Sequence, residues 1–202
     1  MSNQENNSIA LMKTTTKREE FLQASLQLIH EKGFKATTMR DIAERMNFDV
    51  SNSYNYIKSK QDILELFLFR TSNEFHHAMD NILASTYPAD EKLKQVISAH
   101  IQVAAQKPLE VALMINEWRN LKEPKYSEYI NLRSLYEQKM TKLLRSGIED
   151  GNFKEMDEKV ATAVILSSIR WLYDAFSNSE SAINPVELER QIVLLVFGGI
   201  AR

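Results

Sequence analysis

Apolar side chains recur at helical spacing along almost the whole chain, and no stretch alternates strictly between apolar and polar positions. The pattern predicts an all-α protein. Thr16-Lys17-Arg18-Glu19 reads as a capping box, ahead of a stripe of Phe21, Leu22, Ser25, Leu28 and Ile29 that Lys32 and Gly33 close. Thr38-Met39-Arg40-Asp41 repeats the hydroxyl-x-x-acid signal, and Met39, Ile42, Ala43 and Met46 then bury one side of a short helix. Asn47 tolerates the left-handed conformation of an abrupt stop, and Asp49 is placed to cap a second short helix over residues 50–56. Ser59 and Asp62 open a long helix with no Gly or Pro before Pro88. Further helices are expected over 90–105, 109–120, 127–150 and 157–176, and a last one starts at Asn184-Pro185. Residues 1–12 are polar and Asn-rich without a period, which predicts a disordered tail.

Two features of this pattern speak to organisation. The helix after Asp49 exposes Ser51, Asn52, Ser53 and Asn55, too polar a face for a core. A short helix, a turn and a polar second helix make a helix-turn-helix that offers its second helix to a partner. The chain therefore divides into a headpiece over residues 13–58 and a bundle over 59–202. In that bundle, 157–176 is apolar around most of its circumference, and the last helix carries Gly198-Gly199. A helix apolar on nearly all sides must be buried on nearly all sides. A homodimer interface of the last two helices does this, with Val164, Ser168, Trp171, Leu195 and Gly199 as its contact residues.

Composition then removes other classes. The 202 residues are 44% hydrophobic and 26% charged, ordinary for a globular protein. With no cysteine there is no disulfide and no thiolate metal or redox site, which fits a reducing cytoplasm. No apolar run has membrane-spanning length, so no membrane partner is expected. Net charge is only −2, so any binding to double-stranded DNA rests on a local patch.

The run from Arg18 to Leu64 resembles the N-terminal domain of TetR-family transcriptional regulators. It carries Gly33-Phe34, Thr37-Thr38-Met39-x-x-Ile42-Ala43 and Tyr54-x-Tyr56-Ile57-x-Ser59-Lys60 without a gap. It departs from the family where Asn47, Asp49, Ser51 and Ser53 stand in place of Gly, Ser, Gly and an apolar residue. The resemblance implies an effector-controlled DNA-binding regulator, most often a repressor. Thr38, Arg40, Val50, Ser51, Asn52 and Ser53 are then the residues facing the groove, where Arg suits guanine, Asn adenine and Val a thymine methyl. Tyr54, Tyr56 and Lys60 suit phosphate oxygens.

NEWRNL, LLRSGIEDGNF and SSIRWLYDAF are similar to the C-terminal domain of TetR regulators of fatty-acid and acyl-CoA catabolism, although Arg170 stands where that group often has Asn. That likeness makes an acyl-CoA the expected effector. Phe67, Phe69, Phe75, Met79, Met114, Leu135 and Met140 are apolar residues suited to a cavity. Trp118 and Trp171 sit in polar-aromatic clusters, and Arg119, Lys122, Arg133 and Arg170 are cations suited to a phosphorylated carrier. Each of these also has a plain reading as core or surface. No nucleophile elbow, triad or phosphate loop is present, so the chain is not expected to be an enzyme. No cofactor is expected either. His76-His77 point about 100° apart on a helix, which argues against a metal site.

Overall fold

The computed structural model describes residues 16–177 and 183–200, so the expected tail over 1–12 lies outside the described residues. Ten α-helices and no strand occur among them. The headpiece contains α1 (Lys17–Lys32), α2 (Met39–Arg45) and α3 (Val50–Ser53). The body contains α4 (Lys60–Ala84), α5 (Ala89–Gln106), α6 (Pro108–Asn116), α7 (Lys125–Glu149), α8 (Glu158–Ser168), α9 (Leu172–Ser177) and α10 (Pro185–Ile200). A 3-10 turn at Trp118–Asn120 follows α6. None of the described helices is long and apolar enough to cross a membrane.

Local signals explain most of the boundaries. Thr16 and Glu19 form a complete capping box at α1, and Thr38 with Asp41 forms another at α2. The Thr38 hydrogen bonds, helped by Lys32, hold the Asp41 carboxyl down at about 2. Asn47 ends α2 in the left-handed region at φ 55°, and Gly33 takes φ 83° after α1. Asp49 stands at the N-cap of α3 but makes no side-chain cap bond, and α3 stops at Ser53 rather than running on to Tyr56.

The apolar stretch 157–176 is two helices, not one. After α8, the Ser168 hydroxyl donates to the Ile165 carbonyl at 2.7 Å, and the Trp171 indole N–H donates to the Ser168 carbonyl at 2.7 Å. Side chains that satisfy carbonyls in this way replace the helical bonds the chain would otherwise make. Ile169 and Arg170 fall in the resulting break.

Two large cores hold the molecule. One joins α4, α5, α7, α8 and α10 around Leu93, Ile97, Met140, Leu144 and Phe153. Gly147 serves this core, because a Cβ there would lie 2.3 Å from the Phe153 ring. The second core begins in the headpiece with Phe21, Leu26 and Ile42 and continues through Ile63, Leu64, Phe67 and Leu68 of α4. It also takes in Leu113 and Leu121, so headpiece and body share apolar packing. Beside it, the buried Glu110 carboxylate accepts from Arg70 at 2.6 Å and from the Thr71 hydroxyl at 3.1 Å, fastening α6 to α4.

Apolar exposure concentrates elsewhere. Six of the nine exposed large hydrophobic residues among those described, Val160, Val164, Trp171, Val186, Leu194 and Leu195, lie between α8 and α10. Gly198 and Gly199 are exposed with open space beyond them, and Ser168 is half-buried.

Candidate functional site

In the headpiece, Thr38, Arg40, Ser51, Asn52 and Tyr54 are exposed and Val50 is half-buried, so these side chains are available to a partner. Three other residues are placed differently. Ser53 is fully buried beneath α3, and its hydroxyl has no hydrogen-bond partner among the described residues. Tyr56 stacks between Phe21 and Phe48, with centroids 5.5 and 5.9 Å away, so its ring belongs to the headpiece core. Lys60 turns its ammonium inward, donating to the carbonyls of Phe34, Lys35 and Thr37 and lying over the Phe34 ring. Burial lowers its pKa, although Asp41 and Glu117 act against that. Lys60 thus ties the start of α4 to the α1–α2 connection, a task that spacing alone did not reveal.

The buried hydroxyl of Ser53 carries a stability prediction. An unpaired buried hydroxyl costs desolvation without return, and Ala is the better helix former. Ser53→Ala is expected to stabilise the protein by about 1 kcal/mol. A thermal melt in which the variant unfolds below the wild type would contradict this placement.

The body holds a cavity of about 180 Å³ that opens to solvent. Its walls come from α4 (Phe75, His76), α5 (His100, Ala104), α6 (Val111, Met114), α7 (Tyr129, Arg133, Tyr136) and the α8–α9 break (Ile169, Arg170). The 3-10 turn adds Trp118 and Arg119. Arg119, Arg170 and Glu137 are exposed and mark the mouth, whereas Phe75, His76, Val111 and Ile169 are buried and form the interior. Two guanidiniums flank Trp118, Arg119 at 4.4 Å and Arg133 at 4.6 Å from the ring.

Three of the polar side chains inside, His76, His100 and Tyr136, are hydrogen-bonded. The His100 imidazole meets the Tyr136 hydroxyl at 2.7 Å and stacks on Phe75 with centroids 4.5 Å apart. Burial lowers the His100 pKa to about 4 and pushes the Tyr136 phenol up, so both are uncharged near neutrality. Burial likewise raises Tyr129 to about 12. His76 approaches the Leu132 carbonyl at 3.1 Å, which assigns the proton to Nε2, and Lys139 donates to its Nδ1 at 3.4 Å. Burial first, and Lys139 second, lowers the His76 pKa. His77 is exposed, and no metal-holding cluster occurs among the described residues.

Of the residues expected at a cavity, Phe75, Met114, Trp118, Arg119, Arg133 and Arg170 line this one. Phe67 belongs to the shared headpiece core, and Met79 and Met140 belong to the body core. Leu135 and Trp171 are exposed, at 44% and 46%, and do not reach the cavity. Phe69 packs edge-on against Tyr129 outside the lining, and Lys122 is exposed. His76, His100, Tyr129 and Tyr136 were not anticipated. A signal existed: His100 lies three residues after Ile97 and four before Ala104, on the apolar stripe of its helix. Tyr129, Arg133, Tyr136 and Met140 share one face of α7 in the same way.

The mouth is wired to the headpiece. Glu117, immediately before Trp118, accepts the Phe34 N–H at 3.1 Å through Oε1 and the Asn120 side-chain amide at 2.6 Å through Oε2. Gln61, beside Lys60, donates to the Asn120 carbonyl at 3.4 Å. The turn that lines the cavity thus grips the α1–α2 connection.

A helix-turn-helix joined by one long helix to an all-helical body with an internal cavity is the architecture of a one-component transcription regulator. The chain belongs to the TetR family: residues 21–66 match the bacterial regulatory proteins of the tetR family, and residues 86–200 match the tetracyclin repressor-like C-terminal domain. The fatty acid metabolism regulator protein of Bacillus subtilis is 25% identical over 202 residues, covering 91% of this chain and 97% of that protein. The ketosteroid transcriptional regulator KstR2 of Mycobacterium tuberculosis shares the fold with TM-score 0.87 at 21% identity, over 94% of this chain and 97% of that one. AibR, solved with isovaleryl coenzyme A and operator DNA, shares it with TM-score 0.78 at 16% identity, over 91% and 100%.

Proposed function

We propose that this regulator is a cytoplasmic repressor that sits as a homodimer on a palindromic operator and leaves it when an acyl-CoA enters the body cavity. The observation that carries the effector assignment is the cavity itself, an apolar interior whose rim holds Arg119, Arg133 and Arg170. An acyl group suits the interior, and guanidiniums suit the phosphates of a carrier left at the mouth. The isovaleryl coenzyme A bound by AibR and the name of the Bacillus subtilis relative support the same ligand class.

Residues 13–58 serve as the DNA-binding part and 59–202 as the ligand-binding and dimerising part. Arg40, Val50, Ser51, Asn52 and Tyr54 are the contacts best placed for DNA, because the headpiece leaves them accessible. Ser53 is buried beneath α3 and is therefore not one of these contacts. Lys60 acts on DNA through the turn it holds rather than through a phosphate. Val164, Ser168, Trp171, Leu195 and Gly199 lie on the surface that a second copy covers.

The test is a titration of the protein bound to DNA from upstream of its own gene. Acyl-CoAs of graded length are compared with free fatty acids and planar cationic drugs. Release by a subset of the thioesters is the expected result. Release by the drugs with no response to any thioester would overturn the acyl-CoA assignment.

A further inference from the structure

The cavity has a polar feature that an ordinary fatty-acyl site does not need. His100 and Tyr136 both line it, joined to each other at 2.7 Å. The Tyr136 hydroxyl has no other hydrogen bond among the described residues. Its bond to the imidazole leaves one hydrogen-bonding position of the phenol unused with either tautomer. If the imidazole N–H donates, the phenol hydrogen is free; if the phenol donates, its oxygen lone pairs remain. The pair can therefore meet an acceptor or a donor from a ligand.

The surroundings limit that ligand in two further ways. Among the described residues the cations of the lining are gathered towards the mouth: Arg119 and Arg170 are exposed, the half-buried Arg133 lies over the Trp118 ring, and both ring nitrogens of His76 are engaged. A carboxylate or phosphate placed against Tyr136 would be desolvated without a counter-charge, so the group that reaches it is uncharged. The volume also suits a short group better than a long tail. An apolar cavity of about 150 Å³ takes one benzene ring, and the about 180 Å³ here is only slightly larger.

We infer that the effector's buried part is a compact acyl group, about the size of a single ring, that carries a ketone or hydroxyl oxygen bound by the His100–Tyr136 pair. This rests on the reading of the cavity as the effector site, and it names the acyl class independently of the carrier. A long unbranched fatty acyl group is then the wrong substrate for this regulator. Tyr136 and His100 set specificity, and the arginines at the mouth set the position of the charged end.

The experiment is calorimetric titration of the full-length protein with matched pairs. Cyclohexanecarbonyl-CoA is compared with 4-oxocyclohexanecarbonyl-CoA, palmitoyl-CoA serves as the oversized ligand, and the two ring acids are run without carrier. Wild-type protein is expected to prefer the oxo compound over its oxygen-free partner by roughly three- to tenfold, the range of one net hydrogen bond. Palmitoyl-CoA should bind more weakly than either ring thioester. In Tyr136→Phe the preference ratio should fall to about one, the phenol hydrogen-bonding position being gone.

Equal affinity for the two ring compounds in wild type overturns the inference without using any variant. So does a ratio that survives Tyr136→Phe, or palmitoyl-CoA as the tightest ligand. Oxo preference among the free acids with no thioester binding would end the CoA reading and leave this inference standing. Thioester binding without oxo preference would do the reverse, and no binding of any compound ends both.

Discussion

Leu195→Glu is expected to leave the protein monomeric at micromolar concentration and to remove operator binding with it. Leu195 is 76% exposed in the single chain, so a glutamate there costs the isolated subunit nothing in packing. It is accompanied by Leu194 on the same helix and by Val160, Val164 and Trp171 on the preceding elements, a run of apolar surface that a solitary subunit would leave in water. Gly198 and Gly199 let a second backbone approach α10 closely, since nothing stands beyond either of them. In a two-fold interface each substitution occurs twice, and an unpaired carboxylate buried at the contact costs several kcal/mol. Since every ~1.4 kcal/mol is tenfold in affinity, the dimer should fall apart over the accessible range. A monomer presents one headpiece to a two-fold operator and loses the second half-site. Analytical ultracentrifugation reads the outcome, with Leu135→Glu as the control, because Leu135 is exposed on α7 and should leave the mass unchanged. A wild-type monomer, or a dimeric Leu195→Glu protein, would remove this interface from consideration.

Much of the headpiece was legible because capping is a local property. Thr16 with Glu19, and Thr38 with Asp41, make their bonds within one turn, and Asn47 stops α2 with its own backbone. The break between α8 and α9 was not legible, because the apolar pattern runs through it unchanged. What interrupts the helix is a pair of side-chain bonds from Ser168 and Trp171 to backbone carbonyls, and no periodicity records those. Yet that break is what brings Arg170 to the cavity mouth.

The cavity was legible in part for a similar reason. Phe67, Phe75, Met79 and Met140 look alike in sequence, since an apolar side chain does not say whether its neighbour is protein or space. Only Phe75 of the four lines the cavity. A polar residue on an apolar stripe is the more informative sign, and His100, Arg133 and Tyr136 all carry it. Lys60 shows the opposite failure, where a long flexible cation next to a recognition helix was assigned to phosphate. Its stem is long enough to reach carbonyls more than twenty residues away in the chain, and those carbonyls are where it goes.

Glu117→Ala is expected to produce a regulator that still binds operator and still binds effector but no longer exchanges one for the other. Glu117 closes a bonded path between the cavity wall and the headpiece. On one side it precedes Trp118 and Arg119 in the cavity wall, and on the other its Oε1 accepts the Phe34 N–H of the α1–α2 connection. Lys60 holds the carbonyls of that same connection, and Gln61 donates to Asn120 in the turn, so a movement of the turn is felt at the start of α4 and at α2 together. An effector that displaces Trp118 or Arg119 therefore changes the seating of the headpiece most directly through this carboxylate, beside the Gln61 bond and the apolar packing around Leu121. Ligand coupling in such proteins is roughly 1–3 kcal/mol, or about 5- to 150-fold in affinity, and loss of this bridge should reduce it to under about twofold. Glu117→Gln keeps an acceptor oxygen for the Phe34 N–H and should restore most of the response. The measurement is operator affinity with and without saturating thioester for all three proteins, beside effector binding in the absence of DNA. Release of DNA from Glu117→Ala at the same effector concentration as wild type would show that the signal does not need this bridge.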